Sequence, residues 1–194
     1  EAVLRETAHR LHAHRGLGED FAEISHLEPE NIQIHARIEI DAVDNVEAVL
    51  LEIYQRLADY ISPPVPFLTL SQCLNAGKHT DEIFDGPLLD HGFIDTAALN
   101  NAQRRTTLRT SDLIREIMDV AGVKAVRHIS VSSGGGAPEA WSLTLNVDSA
   151  PRLDLARSTI SLERNQLASS LDVANVIETY YQHLRQSSAY RILN

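Results

Sequence analysis

The segment Asn31-Ile32-Gln33-Ile34-His35-Ala36-Arg37-Ile38-Glu39-Ile40-Asp41 constrains the fold more than any other part of the chain. Apolar side chains at 32, 34, 36, 38 and 40 alternate with polar ones, the period of a half-buried strand. A strand carries unpaired backbone donors and acceptors along both edges, so it needs partners elsewhere in the chain. The next comparable alternation begins only after Gly122. The sheet must therefore close across a long, mostly helical insert.

The other elements follow from periodicity and end signals. Glu1 to Arg15 predicts a helix with a thin stripe of Leu4, Ala8 and Leu11, ended by Gly16 and Gly18. Asp44-Asn45-Val46-Glu47 places an acid at the N-cap, here Asp44, with Glu three residues later. The helix it opens carries Val46, Val49, Leu50, Ile53 and Leu57 on one stripe and stops at Ser62-Pro63-Pro64. After an uncharged connector through Leu74, Thr80 is expected to cap 81–84, Asp95 to cap 96–102, and Thr110 or Ser111 to cap 112–120. Gly122 then switches the period from 3.6 to 2. Val123 to Ser132 reads as a strand, Ser132 to Pro138 as a loop, and Trp141, Leu143, Leu145 and Val147 as the dry face of a return strand, together a hairpin. A short strand near Thr159 to Arg164 adds to it, and Asp172 to Leu184 is a closing helix. This order predicts an α+β fold: a small, mostly antiparallel sheet with several helices covering one face and helical termini. Its expected parts are an N-terminal helical arm (1–30), an α+β core (31–165) and a C-terminal helix (166–194).

Charge and composition exclude several classes of function. Among 194 residues, 17 Lys and Arg stand against 27 Asp and Glu, a net charge of −10, so no nucleic acid is expected as a partner. The longest uncharged stretch, Ile61 to Gly77, holds Pro63, Pro64 and Pro66, so no membrane insertion is expected. The single cysteine, Cys73, rules out an internal disulfide framework and a thiolate-rich zinc site. The chain begins at Glu1 and ends at Asn194, and is read as a piece of a longer polypeptide.

Chemistry-bearing motifs are sparse. Gly77-Lys78-His79-Thr80 resembles the end of a phosphate loop but lacks its earlier glycine and preceding strand, so a simple turn is the better reading. His9 and His12 share a helix face, yet two imidazoles without a third ligand make no metal site. Cys73 has no local nucleophile signature and fits a small buried hydrophobe. No catalytic residue, cofactor site or metal site is expected, and the chain reads as a protein that is not an enzyme. Two rivals stay open. One is an enzyme whose site is completed by an absent domain, with His91, Asp95 and Arg109 as acid, base and anion clamp. The other is a small-ligand module built on the apolar connector Val65 to Leu74.

Three stretches carry a resemblance: Asp81-Glu82-Ile83-Phe84-Asp85-Gly86-Pro87-Leu88-Leu89-Asp90-His91-Gly92-Phe93-Ile94-Asp95, Leu108-Arg109-Thr110-Ser111-Asp112-Leu113-Ile114, and Ile117-Met118-Asp119-Val120-Ala121-Gly122-Val123-Lys124-Ala125-Val126. The chain resembles baseplate J-like proteins, wedge components of contractile phage tails and related injection systems. The likeness extends from Ile32 to Val147, and the Gly-Pro-Leu-Leu…His-Gly-Phe-Ile stretch points to the injection-system branch. The resemblance implies a structural assembly protein with neighbouring baseplate subunits as partners. It also implies assembly in the bacterial cytoplasm and a final place in the baseplate of a phage tail or injection particle.

The final helix supplies a candidate partner interface. Val173, Val176, Ile177, Tyr180, Tyr181 and Leu184 form a stripe too wide to leave uncovered. With the first helix too thinly apolar to cover it and three central helices competing for the sheet, a homodimer through this stripe is expected.

Overall fold

The computed structural model describes residues 2–16, 18–85, 92–102, 105–165, 167–169 and 171–193. In chain order its elements are α1 (Ala2–Ala13), β1 (Glu28–Ile40), α2 (Val46–Ile61), β2 (Phe67–Leu68), α3 (Leu70–Asn75), α4 (Thr80–Phe84), β3 (Phe93–Ile94) and α5 (Thr96–Asn101). There follow β4 (Thr107–Arg109), α6 (Thr110–Met118), β5 (Val123–Ser133), β6 (Ser142–Thr144), β7 (Ser149–Leu153), β8 (Thr159–Arg164), β9 (Leu167–Ala168) and α7 (Val173–Leu193). The α+β expectation is met.

β1 is the central strand of the main sheet. One edge pairs antiparallel with β5, from Ile32 opposite Ser133 to Ile40 opposite Val123, with two register shifts on the way. The other edge is shared in parallel by two strands: β7 along Glu28 to Ile32 and β8 along His35 to Glu39. β8 then pairs antiparallel with β9. The change of partner from β7 to β8 threatens to strand buried backbone groups of β1. The intervening turn prevents this: Asp154 N donates to the Ile32 carbonyl at 2.8 Å, and Ser158 Oγ accepts from the Ile34 N–H at 3.1 Å. Ser158 Oγ itself donates to the Asp154 carbonyl at 2.6 Å, which fixes the turn.

The even-numbered side chains of β1 make the core. Ile32, Ile34, Ala36, Ile38 and Ile40 are buried in one cluster with Val49, Leu50, Ile53, Tyr54 and Leu57 of α2, Leu113 and Ile117 of α6, and Val176 and Tyr180 of α7. Three helices therefore lie on the face that the alternation marked as dry. Full burial of a large aliphatic side chain contributes about 1.5–3 kcal/mol, so the four isoleucines of β1 are a substantial part of the hydrophobic term. At the far end of α2, the Tyr60 hydroxyl donates to Asp112 of α6 at 2.8 Å, and the Arg105 guanidinium lies 3.9 Å over its ring. Gly122 ends the α6 region with φ of 89°, where a Cβ would stand 2.5 Å from Val43 Cγ1, so the period switch needs glycine here.

Several expected details are corrected. The hairpin between Val123–Ser132 and the following strand does not form. β6 pairs instead with β4, Leu108 opposite Leu143, while β5 keeps only an isolated bridge from Val131 to Glu139. Thr110 drives this choice, because its N–H and hydroxyl both reach the Trp141 carbonyl at 3.0 Å, and its hydroxyl also reaches the Ala140 carbonyl. The expected dry face survives only at Leu143 and Leu145; Trp141 and Val147 are 84% and 72% exposed. Thr110 thus lies inside α6 as its first residue, and neither it nor Ser111 caps the helix. The cap of α2 falls one residue later than expected: Asn45, not Asp44, accepts from the Ala48 N–H at 2.9 Å. Likewise His79, not Thr80, occupies the N-cap position of α4. The apolar connector is partly structured, since Thr69 and Gln72 form a capping box that opens α3.

Two predictions follow from these placements. Asn45→Ala should lower stability by about 0.5–2 kcal/mol, and Asp44→Ala should stay within about 0.5 kcal/mol of the parent, as judged by urea midpoints. Ser158→Ala strips the Ile34 N–H of its acceptor in a buried position and should cost about 1–3 kcal/mol by the same measurement, while Ser158→Thr, which keeps the oxygen, should recover part of it.

Candidate functional site

The stripe on α7 is the first candidate, and the structure divides it. Val176 and Tyr180 are buried against α2, and Val173 and Ile177 pack on the same core. Tyr181 and Leu184 remain 41% and 45% exposed. The homodimer expectation sets three central helices, 81–84, 96–102 and 112–120, in competition for the sheet. One of them, α6, does pack there through Leu113 and Ile117, while among the described residues α4 and α5 contribute nothing to the core cluster, which leaves room for α7 beside α2 and α6. Beside Tyr180 lies a shallow cleft of about 240 Å³ lined by Gln55, Asp59, Tyr180, His183 and Leu184. Burial raises the Asp59 carboxyl above its ordinary value there. A cleft of that size is smaller than sites that enclose a small molecule, which run from about 300 Å³.

The rival catalytic trio is not assembled. His91 lies outside the described residues. Asp95 is the N-cap of α5, accepting from the Ala98 N–H at 3.0 Å, and is ion-paired with Lys78. The Lys78 ammonium, then the Ala98 N–H, hold the Asp95 carboxyl below its usual range, which suits a structural anion and not a general base. Arg109 ends β4 with its side chain exposed. The connector proposed for a ligand forms β2 and α3, with Cys73 buried and Phe67, Leu70 and Leu74 turned largely outward. His9 and His12 are exposed on α1. Among the described residues, no three His, Cys, Asp or Glu side chains gather as metal ligands.

What the structure does display is uncovered apolar surface. Phe67, Leu70, Leu74, Phe84 and Leu99 of the insert are each at least 41% exposed, and so is Trp141 beside β6. The insert is held by the β2–β3 ladder, an edge-to-face contact between Phe84 and Phe93, and the Lys78–Asp95 pair. Gly92 permits the ladder: with φ of 112°, it sits where a Cβ would meet the Leu68 carbonyl oxygen at 2.7 Å. Exposed aromatic and aliphatic groups of this kind mark contact surfaces, and tryptophan is the residue most enriched at their energetic centres. Sequence reasoning missed Trp141 because alternation assigned it to a dry face. The signal available was its place immediately after a Gly- and Pro-rich loop, where strand pairing is least determined.

Comparison with known proteins agrees with a surface built for contact. No curated protein matches the sequence. In the solved structure described as "Cryo-EM structure of the anti-feeding prophage (AFP) baseplate, 6-fold symmetrised", one chain is 28% identical, with a TM-score of 0.59. The match covers 87% of this chain and 33% of that one, so this chain spans about a third of its length. A family model described as baseplate wedge Pvc12-like domain 3 matches residues 28–171. That span opens at the first residue of β1 and closes just before α7, taking in the whole sheet with α2 and α6, so the chain belongs to the baseplate wedge Pvc12-like domain 3 family.

Proposed function

We propose that the chain is a structural domain of a baseplate wedge component in a contractile injection system, and that it works by docking against neighbouring subunits, without catalysis. The observation that carries this reading is the extent of the family match, which follows the folded unit from β1 to β9. The exposed apolar side chains of the insert and Trp141 support it, since a domain inside an assembly has surfaces for subunits that an isolated domain lacks. The narrower assignment, to the baseplate J-like proteins, draws support from residues 81–126, which carry that resemblance and fall within the matched span. Assembly in the bacterial cytoplasm belongs to the same reading. No described helix is long and apolar enough to cross a membrane.

The proposed organisation is an arm at 1–30, a core at 31–165 and a closing helix at 166–194, the last lying on the core through Val176 and Tyr180. The remaining exposed part of the stripe, Tyr181 and Leu184, is offered to a neighbouring subunit; a second copy is not needed to bury α7.

The test is to tag the full-length gene product and purify contractile particles from the producing cells. The reading predicts the tag at the baseplate end of the particle, and intact particles from an Asp95→Asn and Arg109→Gln double variant. Particles that form normally and lack the protein contradict it. Sedimentation equilibrium of the isolated chain should give a mass near the monomer value of 21.5 kDa at micromolar concentration. A dimer that dissociates in Tyr181→Glu would instead make a second copy the occupant of this helix.

A further inference from the structure

The face of the sheet turned away from the core carries an organised set of charges. At the Glu39 end, three strands contribute. Lys124 and Arg127 of β5 both contact the Glu39 carboxylate of β1, Lys124 at 3.3 Å. Arg37 of β1 donates through Nε and Nη2 to Glu163 of β8, at 2.9 and 3.3 Å.

The arrangement is layered. The carboxylate side chains are sunk, 12% exposed at Glu39 and 15% at Glu163, whereas the cations above them are 62% exposed at Arg37, 56% at Lys124 and 58% at Arg127. A partner approaching this face meets cations first. Three cations over two carboxylates leave a positive excess on a chain whose total is −10. The carboxylates also fix the cations in place: hydrogen bonds from Arg127 and Lys124 hold the Glu39 carboxyl below its ordinary value. Among the described residues, Arg127 uses only Nη2 and Arg37 only Nε and Nη2, so both retain guanidinium N–H donors.

We infer that this cationic sheet face is a docking surface for an acidic patch on a different protein subunit of the particle, bound by Asp and Glu carboxylates. The inference rests on the baseplate reading above. Charge complementarity selects the occupant. Exposed lateral ion pairs contribute little to folding, so their ordered layering is better matched to a partner than to stability. A nucleic acid is a poorer match: its affinity depends on several unpaired cations, and two carboxylates already neutralise two of these three charges. A surface of carboxylates needs only the residual donors and the small positive excess.

The chain's two lysines, Lys78 and Lys124, make the test direct. Purified particles and the isolated chain are acetylated with an amine-reactive ester, and both lysines are quantified by mass spectrometry. The inference predicts that labelling of Lys124 falls at least about tenfold in the particle, as for a side chain taken out of solvent by an interface. It further predicts that a zero-length carbodiimide couples Lys124 to an Asp or Glu of a different protein. Equal labelling of Lys124 in both samples overturns the inference while leaving the baseplate reading intact. Coupling only to Glu39, or only to a second copy of this chain, overturns it too, as does binding of a DNA duplex by the isolated chain in about 0.15 M salt. Absence of the chain from particles overturns the baseplate reading, and the inference with it.

Discussion

Pairing of β1 along both of its edges is the constraint on which the rest of the structure depends. Each amide of a buried strand needs a partner, and a missing one costs about as much as a lost hydrogen bond plus desolvation. β5 supplies one edge continuously. The other edge is built from two short strands, β7 and β8, with the Asp154 N–H and the Ser158 hydroxyl filling the gap between them. Once both edges are satisfied, the alternation of Ile32 to Ile40 puts one apolar ridge on one face, and α2, α6 and α7 cover it. The odd-numbered side chains Gln33, His35, Arg37 and Glu39 then necessarily point to the opposite face, with Gln33 buried beside Ser132 and the layered ion cluster at the Arg37–Glu39 end.

Residues whose position is dictated by burial were readable from the sequence, and residues whose position is dictated by competition between equivalent partners were not. β1 and α2 are legible because their periods, 2 and 3.6, are imposed by the same core. β7 is illegible because Ser149 to Leu153 is short, contains Pro151 and has no alternation; proline survives there because the strand lies at an edge. The partner of β6 is illegible for a different reason. Alternation shows which face of a strand is dry and says nothing of which strand lies beside it. Thr110 decides the matter through bonds to the Ala140 and Trp141 carbonyls, a contact distant in sequence. The cap of α2 shifted by one residue because Asp44 and Asn45 are both competent caps, and only the backbone turn at Asn45 chooses between them.

The functional reading had a similar division. Absence of a catalytic signature pointed away from chemistry, and the resemblance pointed to a wedge protein, which the family match supports. The surfaces proposed for docking are mostly invisible in the sequence. An exposed Trp141 and the outward-facing Phe67, Leu74 and Phe84 look like core residues to any reading of hydrophobicity, because interface and interior use the same side chains. The α7 stripe is divided: Val176 and Tyr180 pack within the chain beside α2, and Tyr181 and Leu184 stay partly exposed. Among its described residues, the insert adds nothing to the main core cluster, and its own Phe67, Leu70, Leu74, Phe84 and Leu99 stay exposed.

Native-state hydrogen exchange tests the central role of β1 most directly. If both edges of the strand are satisfied as described, the amides of Ile32 to Ile40 exchange only through global unfolding, together with their partners in β5 and β8, and the Ile34 amide is as protected as its neighbours. Amides of β2, α3 and α5 in the insert exchange much earlier, by local opening. Exchange of Ile34 and the flanking β1 amides at the rates of the insert would contradict the account.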